Sequence, residues 1–510
     1  MMFSKIYSLG LHGIDGYVVE VEADISQGLP GFDVVGMPGM AVKESRDRVR
    51  AAMKNCGFSF PVSHITVNLA PADVKKEGAV YDLPLLLSLL RAGGQLSLSL
   101  DGMAFIGELS LTGDIRPVHG VLPMVLAARK AGLHTVFIPQ ANAAEGAVVD
   151  GITVYAAEHI KPLLAHLAGE KPLVPLEETA FRPHADESTP DFSEVMGQFV
   201  PRRAMEIAAA GNHNVLMIGP PGSGKSMLAK RLPSVLPDMT REEALEATSV
   251  HSIVGELPAD VGLLSSRPFR APHHTVSPVG LTGGGVVPRP GEVSLSHNGV
   301  LFLDELPEFT RQAMEGLRQP LEDQTVTISR ASGSLTYPCS FMLVAAMNPC
   351  PCGYYGHPTR ECTCSPQNVK RYLSRISGPL LDRFDLHVEV PPVGYTDLNA
   401  KTKAEDSASI RARVNTARQV QAERYAGTRV RTNSQLTPAL LRRHCALSDD
   451  AQVLMQSAFD RLGLSARAYD RLLKVARTIA DLDGSEVLRI DHLSEAIQYR
   501  SLDRKYWRSR

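Results

Sequence analysis

Apolar residues recur along the chain with two different periods, and they alternate most clearly in residues 1–170. Short alternating or continuous apolar segments predict strands, and longer apolar segments predict helices. The predicted strands are Gly16–Ala23, His64–Leu69 and Thr135–Pro139, and the predicted helices are Leu83–Leu90 and the amphipathic Leu122–Ala131. Strands that alternate with helices predict a mixed α/β domain over residues 1–170.

The periodicity stops at residues 171–190, which are rich in proline and acidic residues and are predicted to be a linker. Apolar strands return in residues 191–391, where we expect a second α/β domain. Its predicted elements are strands at Asn214–Ile218, Gly299–Leu303 and Phe341–Asn348, a helix at Arg311–Leu321 and a hairpin at Thr325–Pro338. Residues 392–510 have helical periodicity, with predicted helices at 412–425, 436–447, 449–462, 469–482 and 491–499.

Composition narrows the class of protein. The 510 residues favour about three domains, and 44% hydrophobic with 21% charged residues is typical of a globular protein. With a formal net charge of −2, a nucleic-acid partner would have to be held by local basic patches. Neither a signal peptide nor an apolar run of membrane-spanning length is present, so we expect a cytoplasmic protein with no membrane partner.

A glycine-rich loop follows the strand predicted at Asn214–Ile218 and precedes a predicted helix start. Its residues are Gly219, Pro220, Pro221, Gly222, Ser223, Gly224, Lys225 and Ser226. This context is that of a phosphate-binding loop, in which backbone N–H groups and the start of the helix bind phosphate oxygens. Lys225 would reach the β- and γ-phosphates of ATP and Ser226 would bind Mg²⁺. The alternative is a glycine-rich turn with an incidental lysine.

Two acidic residues, Asp304 and Glu305, end the strand predicted at Gly299–Leu303. Both carboxylates should emerge at the carboxyl edge of a parallel sheet, where such folds bind nucleotides. We expect Asp304 to hold Mg²⁺ through water and Glu305 to polarise the attacking water. The alternative is a surface acid pair without a role in catalysis.

Four of the seven cysteines are clustered directly after the strand that ends at Asn348. They are Cys350, Cys352, Cys362 and Cys364. In a reducing compartment, four thiolates at this spacing favour a structural tetrahedral Zn²⁺ site over disulfides. A reduced loop without metal is the alternative.

Two segments of residues 1–170 resemble Lon-type proteases. Lys76–Pro84 is similar to the segment that carries the Lon nucleophile, and Ile106–Leu122 to the segment that carries the catalytic lysine. By motif, the serine position falls on Val80 and the lysine position on or next to Leu122. Neither side chain can act as nucleophile or base, so we expect a Lon protease-like domain without the catalytic dyad, and no protease activity.

The second and third domains resemble AAA+ ATPases. In that family, Asn348 matches sensor 1, which orients the attacking water. The run Gly378–Asp385 resembles the arginine-finger motif of the Mg-chelatase and MCM-like branch, which implies that Arg383 reaches the nucleotide of a neighbouring subunit; a helix-end salt bridge is the alternative. Sensor 2 would lie on the helix that follows Ser465, where Arg467 and Arg471 share a face and Arg467 is preferred.

A long segment between Lys225 and Asp304 contains the sequence RPFRAPHHT and several glycines. This segment is either an insertion that meets a partner or a structural insertion that packs on the lid, the C-terminal α-helical domain that the AAA+ resemblance implies for residues 392–510. Arg267 and Arg270 in this insertion, and Arg330 in the predicted hairpin, are the expected DNA contacts.

The order of these parts resembles the ComM/YifB family of Mg-chelatase-like AAA+ ATPases along nearly the whole chain. The resemblance implies an ATP- and Mg²⁺-dependent homo-hexameric DNA helicase that promotes branch migration during natural transformation. It also implies single-stranded and branched DNA as partners, with recombination proteins as further candidates. A Mg-chelatase-type motor subunit and a protein-remodelling ATPase are the alternatives.

Overall fold

The computed structural model describes residues 3–183, 189–285, 287–330, 333–394, 404–462, 464–500 and 502–507. The chain divides into two compact units. The first contains the residues up to Arg182 together with Ala244–Leu264 and Ser329–Tyr337, and the second contains the rest. Two short segments from later in the chain therefore belong to the N-terminal unit.

The N-terminal unit is an α/β fold, as predicted. Its elements are β1 (Phe3–His12), β2 (Asp15–Ser26), β3 (Gly31–Val35), α1 (Met40–Asn55), β4 (His64–Ala70), α2 (Asp82–Ala92), β5 (Met103–Phe105), β6 (Glu108–Leu109), β7 (Ile115–Arg116), α3 (Val121–Lys130), β8 (Thr135–Pro139), α4 (Ala143–Gly146), β9 (Thr153–Ala157) and α5 (Ile160–Leu167).

Seven of these strands form a mixed sheet in the order β3-β4-β2-β1-β5-β8-β9. The β1–β2 and β2–β4 pairs are antiparallel, and the other neighbours are parallel. Helix α2 is apolar on nearly all sides and almost wholly buried, because it packs against β1 and β2. The apolar side chains of α2 and of the sheet form one continuous core.

The remaining elements begin with α6. They are α6 (Phe199–Gly211), β10 (Val215–Ile218), α7 (Lys225–Arg231), α8 (Arg241–Val254), β11 (Phe269–Arg270), α9 (Pro278–Thr282), α10 (Glu292–Leu295), β12 (Val300–Leu303), α11 (Arg311–Gly316), α12 (Arg318–Asp323), β13 (Thr325–Arg330), β14 (Gly333–Pro338), β15 (Met342–Met347), α13 (Pro366–Leu373), α14 (Gly378–Leu381), β16 (Leu386–Glu389), α15 (Ser407–Arg424), α16 (Pro438–His444), α17 (Asp449–Leu462), α18 (Ala466–Leu482), α19 (Ile490–Gln498) and α20 (Leu502–Tyr506).

A five-stranded sheet in the order β11-β12-β15-β10-β16 lies at the centre of the second unit, and all its neighbouring strands are parallel. Strands β10, β12 and β15 are buried along their whole length, as expected for a parallel sheet covered on both faces. The parallel sheet and the helical region that follows it confirm the predicted fold class.

Most predicted elements are found within a few residues of their predicted bounds. The helix predicted at Arg311–Leu321 is instead two short helices, α11 and α12, which meet at Leu317. Strand β1 and helices α1, α6 and α8 were not predicted. Among the described residues, no helix has the length and apolar character needed to cross a bilayer.

The domain boundaries at 1–170, 171–190, 191–391 and 392–510 remain predictions. Part of the predicted linker (184–188), the tip of the predicted hairpin (331–332) and the start of the predicted helical domain (395–403) lie outside the described residues.

Candidate nucleotide-binding site

The predicted phosphate-binding loop connects β10 to α7 at the carboxyl edge of the parallel sheet. Its backbone requires glycine, since Gly222 and Gly224 have φ values of 74° and 92°. A Cβ atom at Gly219 would lie 2.2 Å from the carbonyl oxygen of Val390. The loop therefore has a conformation that larger residues at these positions would disturb.

Gln198 braces this loop and was not predicted. Its Nε2 donates hydrogen bonds to the carbonyl oxygens of Ser223 (3.1 Å) and Pro391 (2.6 Å). One side chain thus ties the loop to the segment after β16. No sequence signal indicated it, because the two partners are distant in sequence and are backbone groups.

Lys225 is the first residue of α7 and is buried. Its Nζ donates to the carbonyl oxygens of Gly219 (2.8 Å) and Pro220 (2.9 Å) and to Oδ1 of Asn348 (3.2 Å). Burial lowers the pKa of Lys225 to about 8, against the attraction of nearby carboxylates. A phosphate in the loop would supply the negative charge that this ammonium group lacks, so the loop fits a phosphate-bearing ligand.

Ser226 and Asp304 are brought together as the Mg²⁺ prediction requires. Ser226 Oγ donates a 2.6 Å hydrogen bond to Oδ2 of Asp304, and Oδ1 of Asp304 accepts from the backbone N–H of Glu305 (2.9 Å). A hydroxyl and a carboxylate in contact are oxygen donors of the kind that Mg²⁺ prefers. The donor set therefore fits the ion.

Glu305 emerges at the same sheet edge with a left-handed backbone, φ 52°, which is uncommon outside glycine. Its side chain is 57% exposed, and its Oε2 lies 3.5 Å from Nδ1 of His274. His274 follows β11, the strand that pairs with β12. The sequence RPFRAPHHT therefore brings a side chain to the predicted catalytic glutamate, which had not been foreseen.

Arg383 lies at the opposite edge of the parallel sheet. It follows α14 and precedes β16, and its carbonyl oxygen accepts from Nδ2 of Asn214, the residue before β10. The phosphate loop instead follows β10. A four-residue strand spans about 13 Å, so Arg383 and the loop of the same chain are separated by the depth of the sheet.

The guanidinium of Arg383 is engaged within the chain. It pairs with Glu322, and its Nη1 donates to the carbonyl oxygen of Pro379 (2.7 Å). The salt bridge considered as an alternative is thus present. This salt bridge does not test whether Arg383 acts in the active site of a neighbouring subunit, and that role remains a prediction.

The two candidate sensor-2 arginines have different surroundings. Arg467 is exposed in the first turn of α18, after the N-cap Ser465. Arg471, one turn later, has its Nε 3.6 Å from Oδ1 of Asp385. The assignment of sensor 2 to Arg467 stays a prediction.

The four clustered cysteines come together after β15. The Sγ atom of Cys350 lies 3.3 Å from that of Cys352 and 3.7 Å from that of Cys362, while Cys352 and Cys362 are 3.5 Å apart. All four Sγ atoms, including that of Cys364, lie within 4.8 Å of one another. Zn–S bonds of about 2.3 Å in a tetrahedron place sulfurs about 3.8 Å apart, so the four thiols fit a Zn²⁺ ion.

The expected DNA contacts in the insertion need correction. Arg267 donates to the carbonyl oxygens of Pro237 and Asn298 and pairs with Glu243 at 2.7 Å, and its side chain is only 9% exposed. Arg270 pairs with Glu292 at 2.7 Å. Both arginines pair with carboxylates of residues 191–391, so a structural role within this region is the better interpretation for them. Arg330, at the end of β13, is exposed.

The two positions that match the Lon dyad are both buried in the core of the N-terminal unit. Val80 lies two residues before the start of α2, and Leu122 is the second residue of α3. Apolar side chains occupy both places. Ser88, the nearby serine of α2, donates to the carbonyl oxygen of Leu85.

Three family models match the chain. The model described as "Magnesium chelatase, subunit ChlI" matches residues 191–398, its C-terminal model matches residues 404–500, and "Subunit ChlI of Mg-chelatase" matches residues 21–142. The first contains the phosphate loop, both acidic residues, the cysteine cluster and Arg383.

Curated proteins match nearly the whole chain or a part of it. The Competence protein ComM of Haemophilus influenzae is 46% identical over 99% of this chain and 98% of its own length, and YifB of Escherichia coli is 43% identical over the same shares. Lon protease of Mycolicibacterium smegmatis is 32% identical over 140 residues, which are 26% of this chain and 18% of that protease. The ComM and YifB proteins match nearly the whole chain, and the phosphate loop, the Ser226–Asp304 pair and the parallel sheet are all present. The chain therefore belongs to the ComM/YifB family of Mg-chelatase-like AAA+ ATPases.

Proposed function

We propose that this protein is a hexameric, ATP-driven DNA helicase that promotes branch migration of incoming DNA during natural transformation. The observation that carries the proposal is the placement of Arg383 at the sheet edge opposite the phosphate loop. An arginine there serves the nucleotide of another copy, so the active site is completed between subunits and hydrolysis is coupled around a ring.

The chain's own residues have separate tasks in hydrolysis. The loop N–H groups and Lys225 bind the phosphates of the substrate ATP, and Ser226 and Asp304 hold Mg²⁺. Bound Mg²⁺ would neutralise charge on the phosphate oxygens. Glu305 accepts a hydrogen bond from the attacking water and orients it, while the amide of Asn348 fixes its direction.

Arg383 stabilises the charge that develops on the transferred phosphoryl group, which a guanidinium does well because it donates two parallel hydrogen bonds. It must first leave Glu322, whose side chain is 62% exposed. We further propose that Arg467 contacts the nucleotide and that the four cysteines hold one structural Zn²⁺.

A comparison and one exposed side chain support DNA as the substrate. A curated relative that is 46% identical over 99% of this chain is named as a competence protein. The net charge of −2 requires concentrated contacts, and a ring of six copies would multiply one exposed arginine into six charges. Arg330, exposed at the end of β13, is the arginine that we propose for this role.

A mixing experiment tests the shared active site. Arg383→Ala should bind ATP without turnover, and Lys225→Ala should bind ATP poorly. Mixed oligomers contain interfaces that pair an intact loop with an intact arginine, so ATP hydrolysis should return above the level of either variant. Absence of recovery at every ratio, with mixed oligomers verified by native mass spectrometry, would contradict the proposal.

The substrate is tested separately by measuring ATP hydrolysis with single-stranded, duplex and branched DNA. Branched and single-stranded DNA should stimulate hydrolysis, and a synthetic four-way junction should be moved. The Mg-chelatase family models favour one alternative, a motor subunit for metal insertion. Stimulation by a porphyrin and partner subunits, or by unfolded protein, with none by DNA, would replace the DNA assignment.

A further inference from the structure

The cysteine loop, residues 350–364, lies directly beside the phosphate loop, and one glycine makes the contact. Gly353 is buried and has a left-handed φ of 85°. A Cβ atom at this position would lie 2.4 Å from Cδ and 2.7 Å from Cγ of Pro221, in the phosphate loop. The backbone of the cysteine loop therefore approaches Pro221 so closely that glycine is required there.

The cysteine loop also begins at the residue that matches sensor 1. Oδ1 of Asn348 accepts a 3.2 Å hydrogen bond from Nζ of Lys225, and Cys350 follows two residues later. Cys350 is fully buried, whereas the other three cysteines of the cluster are partly exposed. Since a single residue separates Cys350 from Asn348, the position of the first constrains that of the second.

The far side of the cysteine loop packs on helix α20. The ring of Tyr355 lies 6.4 Å from that of Tyr506, centroid to centroid, and the Tyr506 hydroxyl donates to Oε1 of Glu389 (3.4 Å). Glu389 ends strand β16 and is the register partner of Ile218, the residue before the phosphate loop. The cysteine loop is therefore packed between α20 on one side and the phosphate loop on the other.

Local contacts shape each turn of the cysteine loop, and the thiols join its two ends. The backbone N–H of Gly353 donates to the carbonyl oxygen of Cys350 (3.0 Å), and Nη1 of Arg360 donates to the hydroxyl of Tyr354 (2.8 Å). Both bonds join residues close in sequence. The Sγ atoms of Cys350 and Cys362 lie 3.7 Å apart across the loop. One metal ion bound to all four thiolates would cross-link the two ends and reduce the entropy cost of closing the loop.

We propose that the cysteine cluster positions the nucleotide-binding residues, so that ATP affinity depends on zinc occupancy. The four thiolates, joined by Zn²⁺, hold Gly353 against Pro221. They also fix Cys350, two residues from Asn348. Without the metal the loop is free to leave Pro221, and the phosphate loop loses the support that keeps its N–H groups in the conformation that fits phosphate. This inference rests on the zinc site proposed above and is independent of the DNA assignment.

Two glycines of the cysteine loop separate this contact from the general effects of a substitution. Gly353 and Gly356 both have left-handed φ values, 85° and 75°, so alanine is strained at either position. A Cβ atom at Gly353 would overlap Pro221, whereas one at Gly356 would make an ordinary 3.7 Å contact with Cε of Lys505. Gly353→Ala should therefore weaken binding of a fluorescent ATP analogue about tenfold, in the range of overpacking effects. Gly356→Ala is the matched control and should leave binding nearly unchanged.

A double-mutant cycle tests the route of this effect. Alanine in place of Pro221 lacks the Cγ and Cδ atoms that the added Cβ atom would meet. In the Pro221→Ala background, Gly353→Ala should therefore cause a smaller loss of ATP affinity than in the unaltered chain. Equal losses in both backgrounds would show that the effect does not pass through Pro221, and the proposal would be wrong.

Zinc occupancy is varied separately in the full-length chain without substitutions. A chelator that binds Zn²⁺ far more tightly than Mg²⁺ should lower ATP affinity in proportion to the zinc released, as measured by elemental analysis. Added zinc chloride should restore the affinity. Gly353→Ala retains all four cysteines and should retain zinc, so its loss of affinity would not result from release of the metal. Thermal unfolding verifies that each sample is folded.

Loss of ATP affinity both on zinc removal and in Gly353→Ala, with Gly356→Ala unaffected, supports the positioning role. A folded, zinc-free chain that binds ATP as tightly as the zinc-loaded chain would overturn it, and so would equal effects of the two alanine substitutions. If zinc removal unfolds the chain, the double-mutant cycle decides. ATP binding requires neither DNA nor turnover, so failure of the DNA assignment or of the Arg383→Ala mixing experiment leaves these measurements decisive.

Discussion

At the residue scale, the side chains proposed to bind phosphate and to activate water have different surroundings. Lys225 is buried with its Nζ directed at backbone carbonyls of its own loop, whereas Glu305 is exposed and contacts His274. Lys225 can therefore exchange these backbone acceptors for the phosphate oxygens of a ligand. Glu305 is positioned where solvent reaches it.

The proposed roles predict that one substitution impairs ATP binding and the other impairs turnover. Lys225→Ala should weaken ATP binding, whereas Glu305→Gln should bind ATP normally and lower turnover by about 100-fold or more, in the range of general acid–base contributions. Fluorescent-nucleotide binding and phosphate release measure the two effects. Glu308→Gln, an exposed carboxylate three residues later, is the control and should retain turnover. Wild-type turnover of Glu305→Gln would refute its role.

At the element scale, the loop after β15 and the hairpin β13–β14 are short, polar and attached to rigid strands. The loop brings four thiols together, and the hairpin places Arg330 at the end of a strand. We expect the conformation of the loop to depend on the proposed metal ion and that of the hairpin to depend on strand pairing.

For the cysteine loop, we expect about one zinc per chain in protein purified without chelator, according to the four-thiolate rule. Replacement of Cys350 and Cys362 by serine should release the metal and lower the thermal stability of the chain. Cys56→Ser, which changes a cysteine outside the cluster, should retain zinc. Elemental analysis that finds a fully active wild type free of metal would exclude the site.

For the hairpin, Arg330→Ala should leave basal ATP hydrolysis intact but reduce its stimulation by DNA. DNA binding should also depend less steeply on salt, because fewer counterions are released. Arg267→Ala is the comparison. It breaks a nearly buried pair with Glu243 and should cost about 3 kcal/mol of unfolding free energy without changing the salt slope. An unchanged DNA response in folded Arg330→Ala would remove Arg330 from the DNA contacts.

At the scale of the whole molecule, the two compact units are interleaved in sequence. Residues 244–264 follow the phosphate loop in the chain but belong to the N-terminal unit. There, Ser252 donates to the buried Glu145 and its carbonyl oxygen accepts from Gly120, while Leu245 and Leu263 pack against the core. The N-terminal unit is therefore not a separable addition.

Deletion of residues 1–170 should expose Leu245 and Leu263 and leave Ser252 without its partners. We expect a truncated chain that aggregates and unfolds at a lower temperature than the full chain, as measured by light scattering and calorimetry. The same truncation with both leucines changed to serine should be more soluble. A truncated chain that is monodisperse and as stable as the full chain would show that the segment folds without the N-terminal unit.

The local sequence pattern was sufficient to predict much of the secondary structure and part of the candidate site. Alternation and apolar runs predicted the strands β2, β4 and β8 and most helices of the last region, because periodicity reflects which face of an element is buried. The glycine spacing of the phosphate loop and the acids after β12 also follow from local chemistry. We could predict that the phosphate loop and these acidic residues lie close together, because parallel strands have their carboxyl ends at the same edge of a sheet.

Contacts between residues distant in sequence were decided only by the tertiary structure. The fold pairs Arg267 and Arg270 with internal carboxylates. It also brings Gln198 into contact with the phosphate loop and His274 into contact with Glu305. Arg383 lies at the sheet edge opposite Lys225. An isolated arginine has the same sequence signature whether it binds DNA, a carboxylate or a phosphate. Its role depends on which charges the fold brings within a few ångströms, and that is a property of packing and not of local sequence.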